Sequence, residues 1–199
     1  MKKILTVLAV SLVFVFVVGF GFLALSPNLR SDPGIGLSPE THAVGTLDVR
    51  QYTDAPLRAE VKIFLPLPVN EAVPIVADFA SYEEWVSPPP ENVVVDNSAR
   101  PSGDFGVGSL VSYKANETDE IVFYNPSVAM IARPRWGLDD FTGHHGVVIV
   151  TPYEHGSIMH MRRYFETVTL KGWFMSKMMP MFMEKSAENL AKQHGGRLL

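Results

Sequence analysis

Residues 4–25 form one unbroken apolar stretch, opening at Ile4 and closing at Leu25, and none of them is charged. Sixteen of these twenty-two residues are Val, Leu, Ile or Phe. A helix of that length, rising 1.5 Å per residue, spans about 30 Å of hydrocarbon. At roughly −0.3 to −0.6 kcal/mol for each such residue near the helix centre, insertion is favoured by about 5–10 kcal/mol, with no charge to oppose it. Lys2 and Lys3 would also suit the basic start of a cleaved secretory signal. The apolar run exceeds the roughly 7–15 residues of a signal core, and Pro27 follows the best small-residue exit, Ala24-Leu25-Ser26. Residues 1–26 therefore read as a retained single-pass anchor, with secretion after cleavage as the alternative.

Positive charge flanking a span stays on the cytoplasmic side, and Lys2 and Lys3 outweigh Arg30, which lies close to Asp32. The remainder of the chain is expected outside, in the periplasm or at the cell surface if the source is bacterial. The sequence has no cysteine, which excludes a disulfide framework and a thiolate zinc site. Net charge is −4 with the two signs interspersed, so no basic stripe awaits phosphates and nucleic acid is not an expected partner. Residues 27–57 are rich in Pro, Gly, Ser, Asp and Thr and read as a stalk, in which residues 44–49 could add a short strand.

The folded unit is expected over residues 58–199. Ala59, Val61, Ile63 and Leu65 alternate with polar neighbours as in a half-buried strand, which Pro66 and Pro68 stop. Val73, Val76, Ala77 and Phe79 recur at helical spacing, with Asn70 as a possible cap. Extended runs follow over residues 93–95, 109–114, 120–124, 128–133, 144–151 and 157–166, separated by turn signals such as Asn125-Pro126 and Glu154-His155-Gly156. Successive strands with short turns imply an antiparallel meander. Residues 170–193 are helical by pattern, with Gly195-Gly196 as the stop and Pro180 inside, where the helix is expected to kink or to break in two with Pro180 in the first turn of the second piece.

These elements make an α+β helix-grip arrangement, a curved antiparallel sheet around a long C-terminal helix. The segments AEVKIFLPLPVNEAVPIVADFASYEEW, IVFYNPSVAMIARP, VVIVTPYEHGSIMHMRRYF and MEKSAENLAKQ resemble the SRPBCC (START-like, polyketide cyclase/dehydrase and lipid transport) superfamily over roughly residues 58–195. The resemblance implies a ligand cavity between sheet and helix. It offers Trp85, Tyr113, Phe123, Met130, Trp136 and Trp173 as bulky side chains at inward positions, each of which ordinary core packing would also explain.

In residues 157–166, Ile158, His160, Arg162 and Tyr164 share one face, and Met159, Met161, Arg163 and Phe165 the other. With the first set inward, His160 and Tyr164 become ligand contacts, and His160 a weak candidate acid or base beside His145. A solvent-facing or hydrogen-bonded histidine is the plainer alternative. His144 and His145 are adjacent and so point to opposite faces of a strand, which leaves no metal site in the pattern. No cofactor is called for. The segment from Trp173 to Met183 is apolar around nearly its whole circumference, so a second face needs cover from protein, a partner or the membrane. Its flexible methionines, Met179 among them, suit contact with apolar ligands of varied shape.

The reading is a membrane-anchored protein that binds a lipid or other hydrophobic small molecule. A cyclase- or hydrolase-like enzyme on His160 or His145, with Tyr113 or Asp140 in reach, is the first alternative. A membrane-tethered interaction module docking through its Met-rich helix is the second.

Overall fold

The computed structural model describes residues 17–19, 21, 43–114 and 117–199. The anchor over residues 1–26 lies outside them apart from residues 17–19 and 21, as does the stalk up to residue 42. Among the described residues no helix is long and apolar enough to cross a membrane.

The chain runs β1 (Ala43–Val44), β2 (Leu47–Asp48), β3 (Leu57–Leu65), α1 (Val69–Ala77), α2 (Tyr82–Trp85), β4 (Val94–Asp96), β5 (Leu110–Lys114), β6 (Glu117–Asn125), β7 (Ala129–Pro134), β8 (Phe141–Tyr153), β9 (Gly156–Thr167), α3 (Leu170–Gln193) and β10 (Arg197–Leu198). Eight strands form a curved antiparallel sheet in the order β10-β3-β9-β8-β7-β6-β5-β4. The meander from β4 to β9 is what short turns between successive strands dictate, and β3 closes it by pairing with β9. The long helix ends where the two glycines demand. Gly195 takes φ +69°, and Gly196 N–H donates to the Ala191 carbonyl at 2.7 Å, so the otherwise orphaned last carbonyls are capped.

Register decides which face is concave. Val61 pairs with Met161 and Ile63 with Met159, and all four belong to the core with Val73, Val76, Leu190 and Ala191. The odd-numbered residues of β9 therefore look toward the helices. His160, Arg162 and Tyr164 look the other way, which reverses the inward set expected from sequence. The alternation alone misled because both faces of β9 are covered, so Tyr164 is as fully buried as Phe165.

The cover of the convex face comes from residues that composition assigned to the stalk. Leu47, Val49, Ala55 and Leu57 are buried there against Ala129, Ile131, Val147, Ile149 and Tyr164. Residues 43–57 thus form part of the folded unit, as a two-stranded ribbon and a single 3-10 turn. A register shift between Leu57 and Ala59 turns Leu57 onto this side while Val61 stays concave.

Candidate ligand cavity

A cavity of about 530 Å³ lies between the concave face and the N-terminal half of α3. Its size falls within the range of small-molecule sites. The roof is a single stripe of α3, Met175, Met178, Met179, Phe182, Met183 and Ser186, spaced i, i+3, i+4, i+7, i+8 and i+11. The floor comes from Met130, Ala132, Gly146, Val148 and Met161, and one wall from Val76, Phe79, Tyr82 and Trp85. The stripe accounts for one side of the over-apolar helix. Its other side leaves Phe174 and Met181 exposed at 40% and 57%.

Trp85, Tyr113, Met130, Trp136 and Met179 line this cavity, and the structure brings them together around one space. Four other residues named from sequence do not line it. Phe123 packs on the convex side, edge to face with Tyr52. Strict alternation from Asp119 and Ile121 would turn it inward, but a bulge between Ile121 and Phe123 inserts one residue and hands the inward position to Tyr124. His160 and Tyr164 are convex for the reason of register already given. Trp173, two residues before Met175 and so on the opposite side of α3 from the stripe, is half-buried outside the lining.

Neither histidine suggested as acid or base reaches the cavity. His160 Nδ1 stands 3.6 Å from Glu60 Oε1, which also accepts from Arg162 Nε at 2.6 Å. Glu60 and Arg162 form a buried ion pair on the convex face, with His160 at its edge. His145 Nδ1 lies 3.0 Å from the Gly143 carbonyl and borders a separate open groove with Thr53 and Glu166. Neither has Tyr113 or Asp140 beside it. Tyr113 bonds to Asp119, and Asp140 is held by Thr169 and Lys171 at the start of α3.

One end of the cavity is polar, and sequence reasoning missed most of it. Asp119 is 5% exposed and accepts from Trp136 Nε1 at 3.0 Å through Oδ1 and from the Tyr113 hydroxyl at 3.3 Å through Oδ2. Burial nevertheless raises its pKa, because desolvation of the carboxylate outweighs the Arg163 charge and the two hydrogen bonds. Tyr113 and Tyr82 are pushed up as well, first by burial and then by the Asp119 charge. His144 is 4% exposed and sits among the rings of Trp136, Phe141 and Phe165 at centroid distances of 5.9, 5.5 and 5.6 Å. Neither of its ring nitrogens has a hydrogen-bond partner. Burial drives its pKa down to about 3, so the imidazole is neutral at physiological pH. Arg163 completes the group, set opposite Gly146 by the β8–β9 register. A Cβ on Gly146 would stand 2.5 Å from its Nη1, so this glycine is what allows the guanidinium to lie against the sheet.

The signals for these three were faint but present. Arg163 shares a strand face with Met159, Met161 and Phe165, and a cation in such company points into an apolar space or snorkels out of it. His144 stands beside His145 in the sequence, and adjacency on a strand says only that the two point to opposite faces. Asp119 sits in the run Glu117-Thr-Asp-Glu120, which reads as a polar surface strand. Among the described residues no three His, Asp or Glu side chains converge as a metal site needs.

A curved antiparallel sheet that grips a long helix over an apolar cavity defines a helix-grip, START-like protein. The chain belongs to the polyketide cyclase/dehydrase and lipid transport family, whose model matches residues 56–195. Solved structures share the fold at low identity. A START superfamily protein from Mycobacterium smegmatis is 14% identical with a TM-score of 0.52, covering 69% of this chain and 96% of its own. A protein from Thermobifida fusca is 13% identical with a TM-score of 0.51, covering 67% and 92%. The protein XoxI from Bacillus cereus is 10% identical with a TM-score of 0.52, covering 68% and 94%. No protein of curated function matches the sequence significantly.

Proposed function

We propose that this protein binds a lipid or other hydrophobic small molecule in the cavity under α3, at the outer face of a membrane to which residues 4–25 tether it. The cavity itself carries the reading. A fully packed core leaves few voids larger than a water molecule, whereas this one leaves about 530 Å³ between methionines and aromatic rings. Membership of a family that includes lipid transport in its description agrees with such a role. The methionine roof supports it too, because unbranched thioether side chains re-pack around ligands of different shape at small cost. The apolar segment and the two lysines before it motivate the tether and its orientation.

The full chain, solubilised from its own membrane and extracted with organic solvent, is expected to carry an apolar compound enriched over the bulk membrane extract. An extract of identical composition to the membrane would count against the reading. Protease added to intact spheroplasts should cut within residues 43–199 if the domain is outside, and should spare it if it is cytoplasmic.

A further inference from the structure

Resting on that reading of the cavity, we infer that its ligand is an amphiphile with an anionic oxygen head group, a carboxylate or a phosphate, seated on Arg163 with His144 beside it. Asp119 takes one hydrogen bond on each carboxylate oxygen, from Trp136 and Tyr113, so those two donors are spent on each other's anchor. That bonding holds Asp119 in place without bringing it to Arg163. Among the described residues no carboxylate stands within ion-pair distance of Arg163.

Arg163 is nonetheless a central charge of the site. It lies across Gly146 on the cavity floor, and its field is felt at Asp119, Tyr113, Tyr82 and His144. A guanidinium has five N–H donors and no acceptor. His144 adds one N–H and one lone pair, both unpartnered although the residue is 4% exposed. Arg163 therefore brings donors and a positive charge into the cavity lining with no carboxylate at ion-pair distance, His144 is buried in the same lining with both ring nitrogens unpartnered, and Asp119, though it keeps spare lone pairs, is committed to Trp136 and Tyr113. A buried polar group without a partner is costly, as both His144 nitrogens are, so a group that offers an acceptor to His144 beside the Arg163 charge is held there. An anionic oxygen head meets this need through charge and hydrogen bonds together, and an alcohol through hydrogen bonds alone. The apolar tail then runs under the Met175–Met183 stripe, away from the charge.

The test uses the full chain in phosphatidylcholine liposomes and the tryptophans the cavity supplies. Bromine quenches tryptophan emission on contact, and Trp85 and Trp136 line the space. Titration with 10-bromodecanoate, 10-bromodecyl phosphate and 10-bromodecan-1-ol gives three apparent affinities. At pH 7.5 at least one of the two anions is expected to bind tenfold or more tightly than the alcohol, and the better of them names the head group. Arg163→Met should reduce that preference to within about twofold while the alcohol still binds, which also shows that the variant is folded. Arg163→Lys should keep part of the preference, and His144→Phe should lower it severalfold.

Equal binding of anions and alcohol to the unaltered chain, or an undiminished preference in Arg163→Met, would overturn the head-group inference while leaving the cavity reading intact. Quenching by none of the three compounds would remove the cavity reading, and this inference with it.

Discussion

The two halves of α3 are built for different purposes. From Ser186 onward the helix meets the sheet through small or fully enclosed side chains, Ala187, Leu190 and Ala191, each at most 1% exposed. Leu65, Val73 and Ile63 belong to the same close-packed cluster. From Met175 to Met183 the same helix stands over open space, on side chains that are only partly buried. Close packing needs short side chains that bring the helix down onto the strands, while a cavity needs long ones that bridge a gap without filling it. Ser186 sits at the boundary. Its hydroxyl donates to the Phe182 carbonyl and accepts from the Ser87 N–H, each at close to 2.7–2.8 Å, tying the helix to the loop after α2 where the gap begins.

The largest break in this comparison comes from the closed half. Leu190→Ala removes a fully buried side chain at a site with no room to collapse, and about 2–5 kcal/mol of stability should be lost in chemical denaturation. Next is the acid dependence of the polar end. His144 in the folded state titrates near 3 and in the unfolded state near 6.5, so below pH 6.5 the unfolded chain binds the extra proton. Stability from this group is full above pH 6.5 and falls as pH drops toward 3. His144→Phe abolishes that loss, and its stability relative to the unaltered chain should rise by about 3 kcal/mol between pH 7 and pH 4. Ser186→Ala leaves the Ser87 N–H without its partner and should cost about 1 kcal/mol. Met179→Ala in the open half should cost less than about 1 kcal/mol of stability, because the side chain already borders a void. Its effect should appear as weaker binding of an apolar probe. Equal losses from Leu190→Ala and Met179→Ala would erase the distinction between the halves.

The difference between the halves also explains what the sequence made legible. Strand alternation in β3, the length of α3 and its glycine stop are local signals, and the helix runs over the expected residues, 170–193. Pro180 neither ends nor splits it, lying buried within one continuous element. Trp85, Tyr113, Met130, Trp136 and Met179 were reachable as bulky residues at inward positions. Phe123, His160 and Tyr164 went to the wrong face because a one-residue bulge and a two-sided burial of β9 are invisible to alternation. The convex cover over residues 43–57 was hidden by composition, since its few buried residues, Leu47, Val49, Ala55 and Leu57, are scattered among turn formers. Arg163, Asp119 and His144 become a group only through the register between distant strands.

The cavity under the open half is most directly tested by filling it. Ala132 lies on its floor, and Ala132→Phe places an aromatic ring in the space. With the full chain in liposomes, 10-bromodecan-1-ol should quench Trp85 and Trp136 emission in the unaltered protein, and the quenching should be lost in Ala132→Phe with less than about 1.5 kcal/mol change in stability. Quenching that persists unchanged in the filled variant would contradict a ligand site between sheet and helix.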